Sequence, residues 1–185
     1  MIFKLSNDFE NTYSLLIDNI ELLTKMPTFR PRFFATSREA DWSAPQASLY
    51  ASENFEGPAG AFPDLTTWGT GLVVFSPKAH AAYNNSLSGF GEFLPMTINA
   101  ETWYLYNTLY IIPDAAIDKS RAVEVVDTGV HHGQSNVVFD ESYLNKEGVM
   151  VFKTTTNKLM HSLCTDSFKK LYDEHGFKGL QFNPV

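Results

Sequence analysis

The chain's single cysteine, Cys164, is the first residue to weigh for chemistry. It follows an apolar stretch and precedes a helix start, in "HSLCTDSFKKL". A helix N-terminus lowers a thiol pKa, but a nucleophile also needs a positioned base. His161 stands three residues earlier, which on an extended chain points it to the opposite face. The spacing therefore favours a buried structural thiol. His131 and His132 lie in "DTGVHHGQSN". Adjacent histidines point apart, and no Cys or carboxylate stands beside them at a zinc-site spacing. His80 and His175 fall in helical stretches without a His-x-x-x-His partner. Asp114 and Asp118, in "IIPDAAIDKS", would act as acid and base only if the fold brought them together. Asp118, before Lys119-Ser120, reads instead as a turn or cap acceptor. "GFGEF" lacks the lysine and hydroxyl of a phosphate loop, and its glycines follow a helix instead of opening one. The Trp-Tyr-x-Tyr run at Trp103–Tyr106 reads as a half-buried strand, since almost no basic residues surround it to make a base-stacking platform. No catalytic constellation, metal ligand set or cofactor motif emerges. The weight moves from enzyme to binding protein.

The elements that would position these residues follow from periodicity and punctuation. Residues 8–25 read as a helix, with Phe9, Tyr13, Leu16, Ile17, Ile20 and Leu23 on one stripe, Asp8 as cap and Pro27 as stop. Residues 26–61 are broken by prolines and glycines but rich in rings, Trp42 and Tyr50 among them, and read as an ordered wrap. Leu72–Phe75 reads as a strand, and Ser76-Pro77 as the cap and first turn of a helix over 77–87. Strands follow at 93–98, 102–112, 121–126, 136–139, 149–153 and 159–163. Thr165 or Asp166 then caps a helix through His175. One phrase occurs twice: strand, hydroxyl cap, helix, Gly-Phe, and a strand ending in Phe-x-Pro. The first copy runs to Phe93-Leu94-Pro95 and the second to Phe182-Asn183-Pro184. A glycine after each helix, Gly89 and Gly176, is expected in the left-handed conformation. Phe93, Leu180 and Phe182 are expected in the core. The fold class is α+β: a mixed or antiparallel sheet of about five to seven strands with a few packing helices. An N-terminal helix and Pro-rich wrap, 1–61, joins an α+β domain, 62–185, in one compact unit.

With 185 residues and 44% apolar composition, the chain can bury about 70% of its unfolded surface. One cysteine excludes an intrachain disulfide and fits a reducing cytoplasm. The first residues, MIFKLSNDFE, lack the basic start and apolar core of a signal peptide, and no apolar run is long enough to span a membrane. Net charge is −7, concentrated in the middle. Residues 92–141 hold eight acids against two bases, Lys119 and Arg121. This argues against direct nucleic-acid binding and suits a basic protein partner.

The stretch from about Phe62 to Phe182 resembles a family of bacterial immunity proteins associated with polymorphic and type VI secretion toxins. "PDLTTWGTGLVVFSPKAHAAYNN" looks like its strand–Ser–helix element and "GEFLPMTI" like its next strand. "YLYNTLYIIPDAAIDKS" is similar to its Tyr-rich strand and Asp-x-x-Ser-like turn. "CTDSFKKLYDEHGFKGLQFNP" looks like its helix–Gly–strand ending, with Thr165 where Ser is expected as the cap. The resemblance implies an inhibitor that binds and neutralises a cognate toxin domain, and it brings no catalytic residues or cofactor; the missing signal peptide adds the expectation that it works in the cytoplasm. The expected contact residues are Glu124, Asp127, Asp140 and Glu141 of the acidic stretch, with Trp42 and Tyr50 as a second aromatic surface. A small nucleotide- or protein-modifying enzyme with a site around Tyr104, Asp114 and Asp118 is the alternative, as is a scaffold or adaptor.

Overall fold

The computed structural model describes residues 1–27, 33–69, 72–117, 138–156 and 158–185. These form an α+β fold with ten strands in two sheets and four helices. In chain order they are β1 (Ile2–Asn7), β2 (Ser14–Ile17), α1 (Asn19–Lys25), β3 (Gln46–Tyr50), β4 (Leu65–Trp68), β5 (Leu72–Phe75), α2 (Pro77–Leu87), β6 (Gly91–Ile98) and β7 (Glu101–Thr108). A 3-10 turn at Asp114–Ala116 leads to α3 (Glu141–Lys146), β8 (Val151–Phe152), β9 (Leu163–Thr165), α4 (Asp166–Glu174) and β10 (Leu180–Pro184). The six-stranded sheet runs β2-β3-β6-β7-β5-β4, and the four-stranded sheet runs β10-β1-β9-β8. The outer strands β2 and β4 of the larger sheet lie alongside each other, so that sheet rolls toward a barrel.

The repeated phrase has a topological meaning. In the first copy, β5 and β6 flank α2 in sequence, yet both pair antiparallel with β7, which lies between them. In the second, β9 and β10 flank α4, and both pair antiparallel with β1. Each copy is a strand–helix–strand unit whose two parallel strands are split by an antiparallel third. The two differ in where that third strand comes from. In the first it is the next strand of the chain; in the second it is the first strand.

Period-2 alternation sends neighbouring side chains to different cores. Val73, Phe75 and Tyr106 face one core, shared with Phe3, Leu5, Cys164, Leu180 and both helices. Leu72, Val74, Leu94, Met96, Ile98, Trp103 and Leu105 line the inside of the rolled sheet, where α1 adds Leu22 and Met26. All three tryptophans of the chain, Trp42, Trp68 and Trp103, belong to this second core. A third core, on the far side of the small sheet, joins Ile2, Phe152 and Leu163 to Leu144 of α3.

Several expectations are corrected. Residues 8–25 are not one helix. Thr12 and Asn11 bond back to Asp8 in a single turn, residues 14–17 pair with β3, and Asp18 caps a short α1 through the Ile20 N–H. Side chains that bond their own backbone favour turns over helix. The boundary at 61/62 is crossed by both sheets, since β1 belongs to the small sheet and β2 and β3 to the large one. The strand expected at 159–163 lies at Leu163–Thr165, and Leu159 has a positive φ. The strand at 121–126, and residues 136–137 of that at 136–139, fall outside the described residues; Phe139 forms an isolated antiparallel bridge with Ile117. Thr165 does not cap α4 with its side chain, because its hydroxyl donates to the Val149 carbonyl at 2.7 Å. Gly176 is left-handed as expected, but Gly89 is not; α2 ends on Ser88 in right-handed geometry. Leu180 is buried, whereas Phe93 and Phe182 are only partly so. Gly179 is required where the chain enters β10: it has a φ of +111°, and a Cβ there would meet the Leu65 carbonyl oxygen at 2.0 Å.

Candidate functional site

Cys164 lies inside the first core with no exposed surface. Burial pushes its thiol pKa up and Asp166 adds to the effect, so the thiol stays protonated at neutral pH. Among the other candidates, Trp103 packs in the second core and Tyr106 donates its hydroxyl to the Leu87 carbonyl at 2.8 Å. Tyr104 stacks on His80, with centroids 3.6 Å apart, and Phe93 meets the same imidazole edge-on at 4.6 Å. Burial lowers the His80 pKa, so the stack holds a neutral ring at pH 7. Asp114 opens the 3-10 turn. Asp118, His131 and His132 lie outside the described residues. Among the described residues, no three His, Cys, Asp or Glu side chains gather to hold a metal.

The acidic stretch is not one uniform surface. Glu92 is buried between β6 and β7, where it accepts from the Ser37 hydroxyl, the Arg38 N–H and the Asn107 amide, each at 2.6 Å. It fastens residues 37–38 to the end of the rolled sheet. Asp140 caps α3, accepting from the Ser142 and Tyr143 N–H groups at 3.0 and 3.2 Å and from the Ser142 hydroxyl at 2.5 Å. The Ser142 hydroxyl leads in holding this carboxyl below its usual range. Glu141 pairs with the Met1 amino group at 2.6 Å. Glu124 and Asp127 lie outside the described residues. A buried cation stands nearby in sequence: Lys153, 1% exposed, donates to the Phe33 carbonyl. Burial lowers its pKa to about 8.

The two aromatic candidates part company. Trp42 is partly buried against the second core, and its indole N–H donates to the Pro95 carbonyl at 2.7 Å. It is an anchor of the wrap. Tyr50 ends β3 and is 45% exposed.

The residues that sequence reasoning placed wrongly lie on β2 and α1. Read as a single helix, residues 8–25 would bury Leu16, Ile20 and Leu23. In the fold Ile17 is buried as that stripe implies, but Leu15, Leu22 and Met26 are buried with it, and Leu16, Ile20 and Leu23 are 53%, 74% and 54% exposed. Leu16 opposes Ser48, and Tyr50 opposes Ser14, so Leu16 and Tyr50 are diagonal neighbours on one face of the β2–β3 pair. The Gln46 N–H donates to the Glu21 carboxylate at 2.9 Å, which ties α1 to β3. The signal that marks this face is the four-residue run Ser14–Ile17 followed by Asp18, a strand and a cap inside an apparent helix.

No protein-family model matches the chain, and no curated protein matches it in sequence. No described helix is long and apolar enough to cross a membrane.

Proposed function

We propose that this chain is a binding protein that neutralises a secreted bacterial toxin in the cytoplasm, in the manner of the immunity proteins it resembles. What supports the reading is the placement of the resembling segments. They occupy β5, the Ser76 cap and α2, then β6, then β7, and finally α4 to β10. Together they span most of the two strand–helix–strand units, which share one core. The resembling segments thus cover much of the body of the fold, and one of them continues past β7 through the 3-10 turn.

The test is to read the gene immediately upstream and, where it encodes a secreted effector, to co-express that effector's C-terminal domain with this chain. Restored growth and a stable complex on gel filtration are the expected outcome. Unrelieved toxicity, with the two proteins eluting separately, would overturn the proposal.

A further inference from the structure

An ammonium shut away from water needs acceptors around it, or its proton becomes easier to lose. Lys153 follows β8 and is 1% exposed, and its Nζ donates to the Phe33 carbonyl. Among the described residues, no carboxylate pairs with it. Phe33 opens a strap, residues 33–45, that contains no helix or strand. The strap runs beside β6, where a longer β3 would lie. The Thr97 N–H donates to the Pro45 carbonyl at 2.9 Å, Trp42 reaches the Pro95 carbonyl, and Glu92 accepts from Ser37 and Arg38. The Asn107 amide donates to the Thr36 carbonyl at 2.9 Å. These fastenings come largely from side chains. Within the strap only Phe33 and Pro45 are buried, and Ala35 holds a φ of 51°, which costs a residue with a Cβ. A segment with so few buried side chains opens at lower free energy than the sheet it covers.

We infer that the strap at 33–45 is a proton-controlled cover, which lifts from β6 when the Lys153 amine holds its proton and closes over the amine when the proton leaves. The sign follows from linkage. With the strap closed, burial holds the amine's pKa at about 8. Lifting the strap takes the Phe33 carbonyl away and opens Nζ to solvent, where the ordinary value of 10.5 returns. The lifted form therefore binds the proton more tightly, and it is drained as pH rises above 8. The other charged groups on the strap and beneath it are Arg38, paired with Asp41, the exposed Glu39, the buried Glu92, and Lys25, which donates to the Ala44 carbonyl. Ordinary carboxylates, ammoniums and guanidinium groups keep their charge across pH 7–9. On the far side the Lys153 N–H donates to the Tyr110 carbonyl, and burial raises the Tyr110 phenol above its usual value. The amine is the group that titrates there.

The experiment is amide exchange at pH 7, 8 and 9 on the full chain, wild type and Lys153→Met, with each rate divided by that of the free peptide at the same pH. Amides of 34–44 should exchange well before those of β6 and β7, which marks a local opening. In the wild type that opening should become about tenfold rarer from pH 7 to pH 9. In Lys153→Met it should be rarer at pH 7 and unchanged by pH. Strap amides that exchange only together with β6 and β7 would overturn the cover. A wild-type opening that stays constant over pH 7–9, or the same trend in Lys153→Met, would overturn its control by the amine. If Lys153→Met does not fold, the wild-type series still decides whether the cover exists and whether it follows pH. None of these results bears on the toxin reading.

Discussion

The Tyr83 hydroxyl donates to the Phe168 carbonyl at 2.8 Å, and the two rings lie 4.6 Å apart. This one pair joins α2 to α4, and hence the two strand–helix–strand units to each other. Tyr83 is fully buried, so the bond forms away from competing water. Tyr83→Phe should cost about 1 kcal/mol in a urea titration, the typical net value of such a bond. Tyr83→Ala should cost about 3–5 kcal/mol, because a cavity opens between the helices. Equal losses for both variants would mean that the ring contributes nothing beyond its hydroxyl.

The cores carry separate natural probes. The tryptophans report on the inside of the rolled sheet, and the Cys164 thiol on the core shared by both sheets. Because Val73 and Phe75 of β5 reach the shared core while Leu72 and Val74 reach the inner one, the two should unfold together. The red shift of tryptophan emission and the onset of thiol labelling should share one urea midpoint. Labelling at clearly lower urea would show that the small sheet opens on its own.

The β6–β7 hairpin turns through Asn99 and Ala100, with φ of 50° and 65°, while Ile98 pairs with Glu101. Two consecutive left-handed residues make a type I′ turn, which favours Asn-Gly. Ala100 bears the steric cost of its Cβ there, about 1–2 kcal/mol. Ala100→Gly should raise stability by about 1 kcal/mol, after the extra chain entropy of glycine is subtracted. An unchanged or lower denaturation midpoint would count against this turn geometry.

Lys153 gives the stability a pH dependence of known sign. Its pKa falls from 10.5 to about 8 on folding, through burial. Below pH 8 the ammonium is charged in both states, and its burial penalty is fully present. From about 8 to 10.5 only the unfolded state holds the proton, so stability rises with pH. Cys164, with its pKa raised from 9.0, acts in the opposite direction as pH passes the unfolded value. The informative window is therefore pH 7–9. Across it the stability of the wild type relative to Lys153→Met should rise by about 1 kcal/mol. A difference that stays flat across pH 7–9 would show that Lys153 is not desolvated.

The repeated units were legible because their punctuation is local. Ser76-Pro77 starts α2, Gly176 ends α4, and the intervening apolar runs are unambiguous. The β1 strand was not, since Phe3 and Leu5 alternate over too few residues to stand out, and their partners lie at the other end of the chain. Residues 8–25 failed for a different reason. Leu15, Leu16 and Ile17 satisfy both a helical and a strand period, and the pairing with β3 that decides between them is tertiary. The exposed face was lost with that choice. Charge counted along a chain does not show depth: within the acidic stretch Glu92 is buried and Asp140 caps α3, which the sequence did not reveal.

The position of β1 between β9 and β10 also bears on how the protein is made. The large sheet has all its strands once residue 108 has left the ribosome, and its inner core can close then. The first strand made must wait for Leu163–Thr165 and Leu180–Pro184 before it has either neighbour. At about 5–20 residues per second, Ile2, Phe3 and Leu5 stay unpaired for several seconds on a chain whose middle has already folded. During nascent-chain synthesis, that segment is the one a chaperone would find.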